Sequence, residues 1–191
     1  MSIVCFSQET LPRKYREYHD GLAAYQRNCG VFIGKNYLKK ALNEADFIVL
    51  AFNNEIKHLP RLRSQTTDRV VAGFAFLKRS EQNGLYVDLI CSNNRLGKAI
   101  LSRIERKAQE IGAEFVDLNA LDNALPFYER NGYQYVRNPT KSDPAHPCKM
   151  SKPSPKHRAR KRDEMGYLWR MAKCVDKWRN IPMSDENMWQ K

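Results

Sequence analysis

The sequence predicts one α/β domain: a mixed, mostly antiparallel sheet of six or seven strands flanked by helices. Three observations carry that reading. At 191 residues the chain can bury one full core and is too short for two domains of ordinary size. Residues 85–133 run strand, polar turn, helix, strand, helix, the alternation of an α/β sheet. Two apolar stretches precede them, residues 47–52 and 70–77, and the second ends at Glu81-Gln82-Asn83-Gly84, a hairpin signal.

Residues 3–7 read as an edge strand. After Pro12, Tyr15, Tyr18, Leu22 and Tyr25 recur at helical spacing, which predicts a helix to about Asn28, weakened at Gly21. The tyrosine stripe is assigned to core packing rather than to a ligand cage. Tyr37, Leu38, Ala41, Leu42 and Ala45 make a second amphipathic helix. Between the two apolar strands lies a polar loop, residues 54–69, with Lys57, His58, Arg61, Arg63 and Arg69. Its lone histidine is read as solvated.

Tyr86 to Cys91 is β-branched and apolar enough for a strand, and Asn93, Asn94, Arg95 and Leu96 make a loop. Gly97 opens a helix with Ile100, Ile104, Ala108 and Ile111 on one face and Gly112 as its stop. Phe115, Val116 and Leu118 make the next buried strand. Asp122 or Asn123 is expected to cap a short helix, with Pro126 in its first turn and Gly132 at its end. Residues 133–136 and 167–175 read as the last strands, with Trp169 in the sheet. Residues 138–166 hold Pro139, Pro144, Pro147, Pro153, Pro155 and a basic run over 156–162. Such a composition buries too little apolar area to fold alone, so disorder or partial order is expected. Residues 176–191 form a C-terminal extension.

No apolar run approaches the roughly 18 residues of a membrane span, and the N-terminus lacks a secretory signal. Cys5, Cys29, Cys91, Cys148 and Cys174 are odd in number, scattered and never Cys-x-x-Cys. They read as reduced thiols of an intracellular, cytoplasmic protein, with no zinc or other metal site. The net charge of +12 is the compositional outlier, and about seven of those charges lie after Pro139. Such a field favours polyanions: nucleic acid, a nucleoprotein or an anionic cofactor.

A glycine at a strand-to-helix turn exposes the first N–H groups of the helix to an anion, here beside Arg95 and Lys98. The turn Asn94-Arg95-Leu96-Gly97-Lys98-Ala99 resembles the pyrophosphate loop, Arg/Gln-x-x-Gly-x-Gly/Ala, of the GNAT superfamily of N-acetyltransferases. Ala124-Leu125-Pro126-Phe127-Tyr128-Glu129-Arg130-Asn131-Gly132-Tyr133 resembles that family's second signature, Ala-x-x-Phe/Leu-Tyr-x-x-x-Gly-Phe/Tyr. Two positions depart from the pattern: Asn94 stands where Arg or Gln is usual, and Leu121 where Asn is frequent.

The resemblance implies a GNAT-like sheet, acetyl-CoA as acyl-donor co-substrate, and direct transfer to a primary amine in a ternary complex. It implies that backbone groups of Leu89, Ile90 and Cys91 pair with the pantetheine arm, and that Arg95, Leu96, Gly97, Lys98 and Ala99 hold the pyrophosphate. Asn119 and Asn123 become hydrogen-bonding partners of the pantetheine. Tyr128 becomes the acid that protonates the leaving thiolate, and Asp88 a candidate acceptor of the amine proton. Cys91 reads as a structural thiol rather than a nucleophile. Glu17, Asp20, Tyr37 and Glu44 become candidates for contact with the acceptor amine, on a protein or a small molecule. The competing expectation is a catalytically inactive GNAT-like module that binds nucleic acid through its basic insertion.

Overall fold

In the computed structural model, which describes residues 2–16, 25, 29, 33–53, 70–92, 96–136, 148, 160–163 and 166–175, the core is laid down by a run that is apolar at every position. β2 (Phe47–Asn53) sends Phe47, Val49 and Ala51 to one face and Ile48, Leu50 and Phe52 to the other, all buried. A strand covered on both faces loses the polar alternation of a half-solvated one. It pairs antiparallel with β1 (Ser2–Ser7) and with β3 (Val70–Ser80).

β3 turns through Glu81-Gln82-Asn83 into β4 (Gly84–Ser92), with Asn83 at φ 59°. This is the left-handed residue a three-residue hairpin loop calls for. Helix α3 (Gly97–Glu110) follows and buries Ile100, Leu101, Ile104 and Ala108. Its exit bonds, Ala113 N–H to the Ala108 carbonyl and Gly112 N–H to that of Gln109, form a Schellman closure around Gly112 at φ 70°. β5 (Phe115–Leu121) lies parallel to β4. A 3₁₀ turn at Asp122–Ala124 leads into α4 (Leu125–Arg130). Two short strands, β6 (Gln134–Tyr135) and β7 (Arg160–Asp163), both pair with β8 (Gly166–Cys174).

The sheet order is β1-β2-β3-β4-β5-β8-β6, with β7 also on β8. Because β5 occupies one edge of β8, β6 and β7 share the other. The sheet is therefore seven strands wide with one parallel pair, as the sequence predicts. One face packs under α3 and α4. The other packs under α1 (Arg13–Arg16), Tyr25 and α2 (Lys35–Glu44). Tyr15 and Tyr25 are core residues, and the Tyr25 ring meets Phe74 at 4.7 Å and Phe76 at 5.2 Å.

Two expectations are corrected. Neither Asp122 nor Asn123 caps α4 through its side chain. The 3₁₀ turn intervenes, and the Asp122 carboxylate instead accepts the indole N–H of Trp169. The cysteines are not all reduced: Cys29–Cys91 and Cys148–Cys174 are disulfides, leaving Cys5 free. They join positions 62 and 26 residues apart, a proximity made by the sheet and invisible in spacing. Within the stretch read as an insertion, residues 160–163 are ordered as β7. The loop over 54–69 with His58, the residues Glu17, Tyr18, Asp20, Leu22, Asn94, Arg95, Trp178 and Trp189, and the C-terminal extension lie outside the described residues.

Candidate active site

Parallel pairing of β4 with β5 runs from Gly84/Phe115 to Val87/Leu118 and stops. Beyond that rung β4 continues to Ser92 on β3, and β5 continues to Leu121 on β8. The two strands part while each stays bonded to its other neighbour. The cause is local: Leu77 pairs with Val87 but Phe76 pairs with Leu89, so Asp88 is an extra residue. Such a bulge bends its strand and adds twist. It also resets the pleat, since Leu85, Val87 and Ile90 pack toward α3 whereas Leu89 and Cys91 pack toward α2. The β5-facing edge of residues 89–92 has no strand partner among the described residues.

α3 begins just past that edge. Its first turn carries no acidic residue and no side-chain cap, so the N–H groups of Gly97, Lys98 and Ala99 have no partner within the helix. Leu96 packs into the core below, and Lys98 is exposed. A Cβ on Gly97 would come 3.0 Å from Phe127 Cζ. Glycine there lets α4 pack against the start of α3.

Phe127 leads to Tyr128, which is 6% exposed and lies edge-on to Phe127 at 5.1 Å and to Tyr133 at 5.8 Å. Burial pushes its phenol up to about 12, so it holds its proton through neutral pH and can act as an acid, not as a base.

On the opposite face the splayed strands carry a polar cluster. Asp88 Oδ2 lies 2.8 Å from the Lys78 ammonium, and its Oδ1 accepts the Tyr37 hydroxyl at 3.0 Å. Lys78 also reaches Glu44 Oε2 at 2.8 Å. Desolvation pulls the Lys78 ammonium down, but its bonds to Asp88 and Glu44 outweigh it and hold the group above its ordinary range. Tyr37 is 44% exposed over this cluster. One rung inside the fork, Tyr86 and Asp117 are register partners. The Tyr86 hydroxyl accepts Asn119 Nδ2 at 3.0 Å, and burial first, then Asp88, pushes that phenol up. Asp117, 5% exposed, takes Arg170 Nε at 3.1 Å and Nη2 at 2.9 Å, both on Oδ2.

Thus Leu89, Ile90 and Cys91 lie on the parted edge, and Leu96, Gly97, Lys98 and Ala99 at the start of α3. Tyr128 lies beneath the fork, and Asp88 at the bulge that makes it. Asn119 is beyond the last rung, bonded to Tyr86, and Asn123 is exposed in the 3₁₀ turn. Sequence reasoning missed Lys78, Tyr86, Asp117 and Arg170. The hairpin turn could have found the first, because its register sets Lys78 opposite Tyr86. Nothing local signals the Asp117–Arg170 pair, 53 residues apart.

The family model described as an acetyltransferase (GNAT) domain matches residues 33–153. No curated protein sequence matches the chain. Among solved structures, a Tetrahymena GCN5 is similar with TM-score 0.58 and 12% identity, covering 92% of this chain and 96% of that one. An Ard1 from Thermoplasma volcanium is similar with TM-score 0.55 and 11% identity, covering 92% and 99%. The ribosomal-protein-S18-alanine N-acetyltransferase of Escherichia coli is similar with TM-score 0.54 and 15% identity, covering 98% and 99%. At such identities the likeness is one of fold.

Proposed function

Because the chain belongs to the GNAT acetyltransferase family, whose chemistry is acyl transfer and whose donor is acetyl-coenzyme A, we propose that it is an N-acetyltransferase working by direct transfer to a primary amine with both substrates bound. The observation that carries this reading is the parting of β4 from β5 beyond Val87/Leu118, next to the bare first turn of α3. An unpaired strand edge can bond an extended chain as an added strand would. The helix start suits a pyrophosphate.

In this reading backbone groups of Leu89, Ile90 and Cys91 hold the pantetheine, one N–H there polarises the thioester carbonyl, and Asn119 and Asn123 close the other side. Arg95, Leu96, Gly97, Lys98 and Ala99 hold the phosphates. Asp88, reached from the exposed side past Tyr37, is the carboxylate at which the acceptor ammonium arrives. The freed amine attacks the carbonyl carbon, the C–S bond breaks, and Tyr128 supplies the thiolate with a proton. A phenol near 12 gives that proton up only to a base in direct contact, which keeps it for the leaving group.

The acceptor we favour is a macromolecular amine, since a net charge of +12 repels small free cations. Among the described residues no helix is long and apolar enough to cross a membrane. Four of the five cysteines are paired, so the cysteines do not point to a reducing, intracellular setting.

Calorimetric titration of acetyl-coenzyme A into the protein tests the reading, with Gly97→Glu as the control that sets a like charge against the phosphates. Micromolar binding that the variant loses while keeping its circular dichroism supports it. Absence of binding by folded wild type overturns it.

A further inference from the structure

Tyr37 and Glu44 lie two turns apart along one face of α2. The bulge in β4 turns Asp88 toward that face, where its Oδ1 accepts the Tyr37 hydroxyl at 3.0 Å. Lys78 comes from β3, paired with Tyr86 just before the bulge, and fills the space between the two carboxylates. Its ammonium lies 2.8 Å from Glu44 Oε2 and 2.8 Å from Asp88 Oδ2. Asp88 and Lys78 are mostly buried, so water and salt screen them little. Lys40 reaches Glu44 Oε1 only at 3.8 Å and is largely exposed, so it counts for little. Two carboxylates and one held ammonium leave a single negative charge.

A small diamine would bring two ammonium groups a few carbon atoms apart, and each asks for a carboxylate. Here the protein already supplies one of the two cations. We propose that Lys78 sets the acceptor class: it stands where a second ammonium would sit between Glu44 and Asp88, so the site takes an amine with no neighbouring cation and excludes linear diamines and polyamines. This role rests on the acetyltransferase reading and deepens it. The N-terminus of a polypeptide or a lone lysine side chain meets the requirement. A like charge built against the wrong ligand gives selectivity without tighter contacts to the right one.

Lys78 is itself an amine beside Asp88, and it is kept from reacting. Burial pulls its ammonium down, but the bonds to Asp88 and Glu44 outweigh burial and hold it above the ordinary lysine range. It stays protonated at neutral pH, and an ammonium has no lone pair with which to attack a thioester. The same cation has a structural use at Glu44, which closes α2. The last turn of that helix has no basic residue, and its negative end disfavours a carboxylate. A tie of that kind alone would not distinguish one ammonium from two.

1,4-Diaminobutane and butylamine share a carbon chain and differ by one ammonium. Calorimetric titration of each into wild type, Lys78→Met and charge-keeping Lys78→Arg, at pH 7 and low salt, separates the two uses. Wild type and Lys78→Arg should bind the diamine no tighter than butylamine. Lys78→Met should prefer the diamine by roughly tenfold, the scale of one charge-assisted hydrogen bond. Lys78→Gln replaces the methionine variant if circular dichroism shows that variant unfolded. Absence of the preference in the folded variant, or its presence already in wild type, overturns the proposal. After incubation of wild type with acetyl-coenzyme A, mass mapping should find no acetyl group on Lys78, and one found there overturns it too. The titrations need no acetyl donor. Absent acetyl-coenzyme A binding therefore removes the acetyltransferase reading, while the amine comparison is decided separately.

Discussion

The Lys78 ammonium stands 2.8 Å from Glu44 on α2 and 2.8 Å from Asp88 on β4, so one side chain on β3 ties a helix to the bulge. Its ammonium is held above the model-peptide value of 10.5. It therefore binds its proton more tightly folded than unfolded, and the stabilisation is complete below 10.5 and fades as pH climbs through the folded value. Lys78→Met should cost about 1 kcal/mol at pH 7, the scale of a part-exposed ion pair. Thermal midpoints of the two proteins should converge as pH climbs through the folded value, as the scan from pH 7 upward would show.

Asp117 and Arg170 form a pair in which each is almost fully buried. Asp117→Leu alone strands a guanidinium and should cost about 3–5 kcal/mol. Adding Arg170→Met should recover most of that loss, since an apolar pair avoids desolvating two ions. Urea unfolding of the three proteins measures both.

Tyr128→Phe should leave acetyl-coenzyme A binding within twofold while lowering kcat by roughly 10²-fold, the usual worth of a placed acid. Because the phenol is pushed up to about 12, wild-type kcat should show no loss from Tyr128 ionisation between pH 7 and 10. A stopped-flow pH series on both proteins checks this.

Without reductant, only Cys5 should take up an alkylating reagent in the denatured protein, and after reduction all five cysteines should. Peptide mass mapping reads the count. Opening both bridges should lower stability by about 2–4 kcal/mol per bridge, seen as a drop in urea midpoint with added phosphine.

The fold was legible wherever a pattern repeats locally. α3 could be read because Ile100, Ile104 and Ala108 fall on one face and Gly112 closes it. β2 could be read because it is apolar throughout. β7 could not: Arg160-Lys161-Arg162-Asp163 has no apolar face to announce it and owes its place to pairing with β8. The phosphate turn and Tyr128 were visible because their roles are written in contiguous residues. Asp117 was not, because an aspartate between Val116 and Leu118 reads as the outward position of a half-buried strand. It is Arg170, brought alongside by β8, that allows it to be buried.

The extra residue at position 88 makes this sheet intolerant of a change that composition would never register. Removing Asp88 alone would let β4 pair with β3 in unbroken register, Val87 opposite Leu77 and Leu89 opposite Phe76, with every later residue of the strand keeping its side. Ile90 would stay on the α3 core and Cys91 on the face of Cys29, but the bend would be lost and the edge would run straight alongside β5. A three-nucleotide deletion in the coding sequence would cost the chain no apolar residue. It would still yield a flatter sheet with its cleft closed.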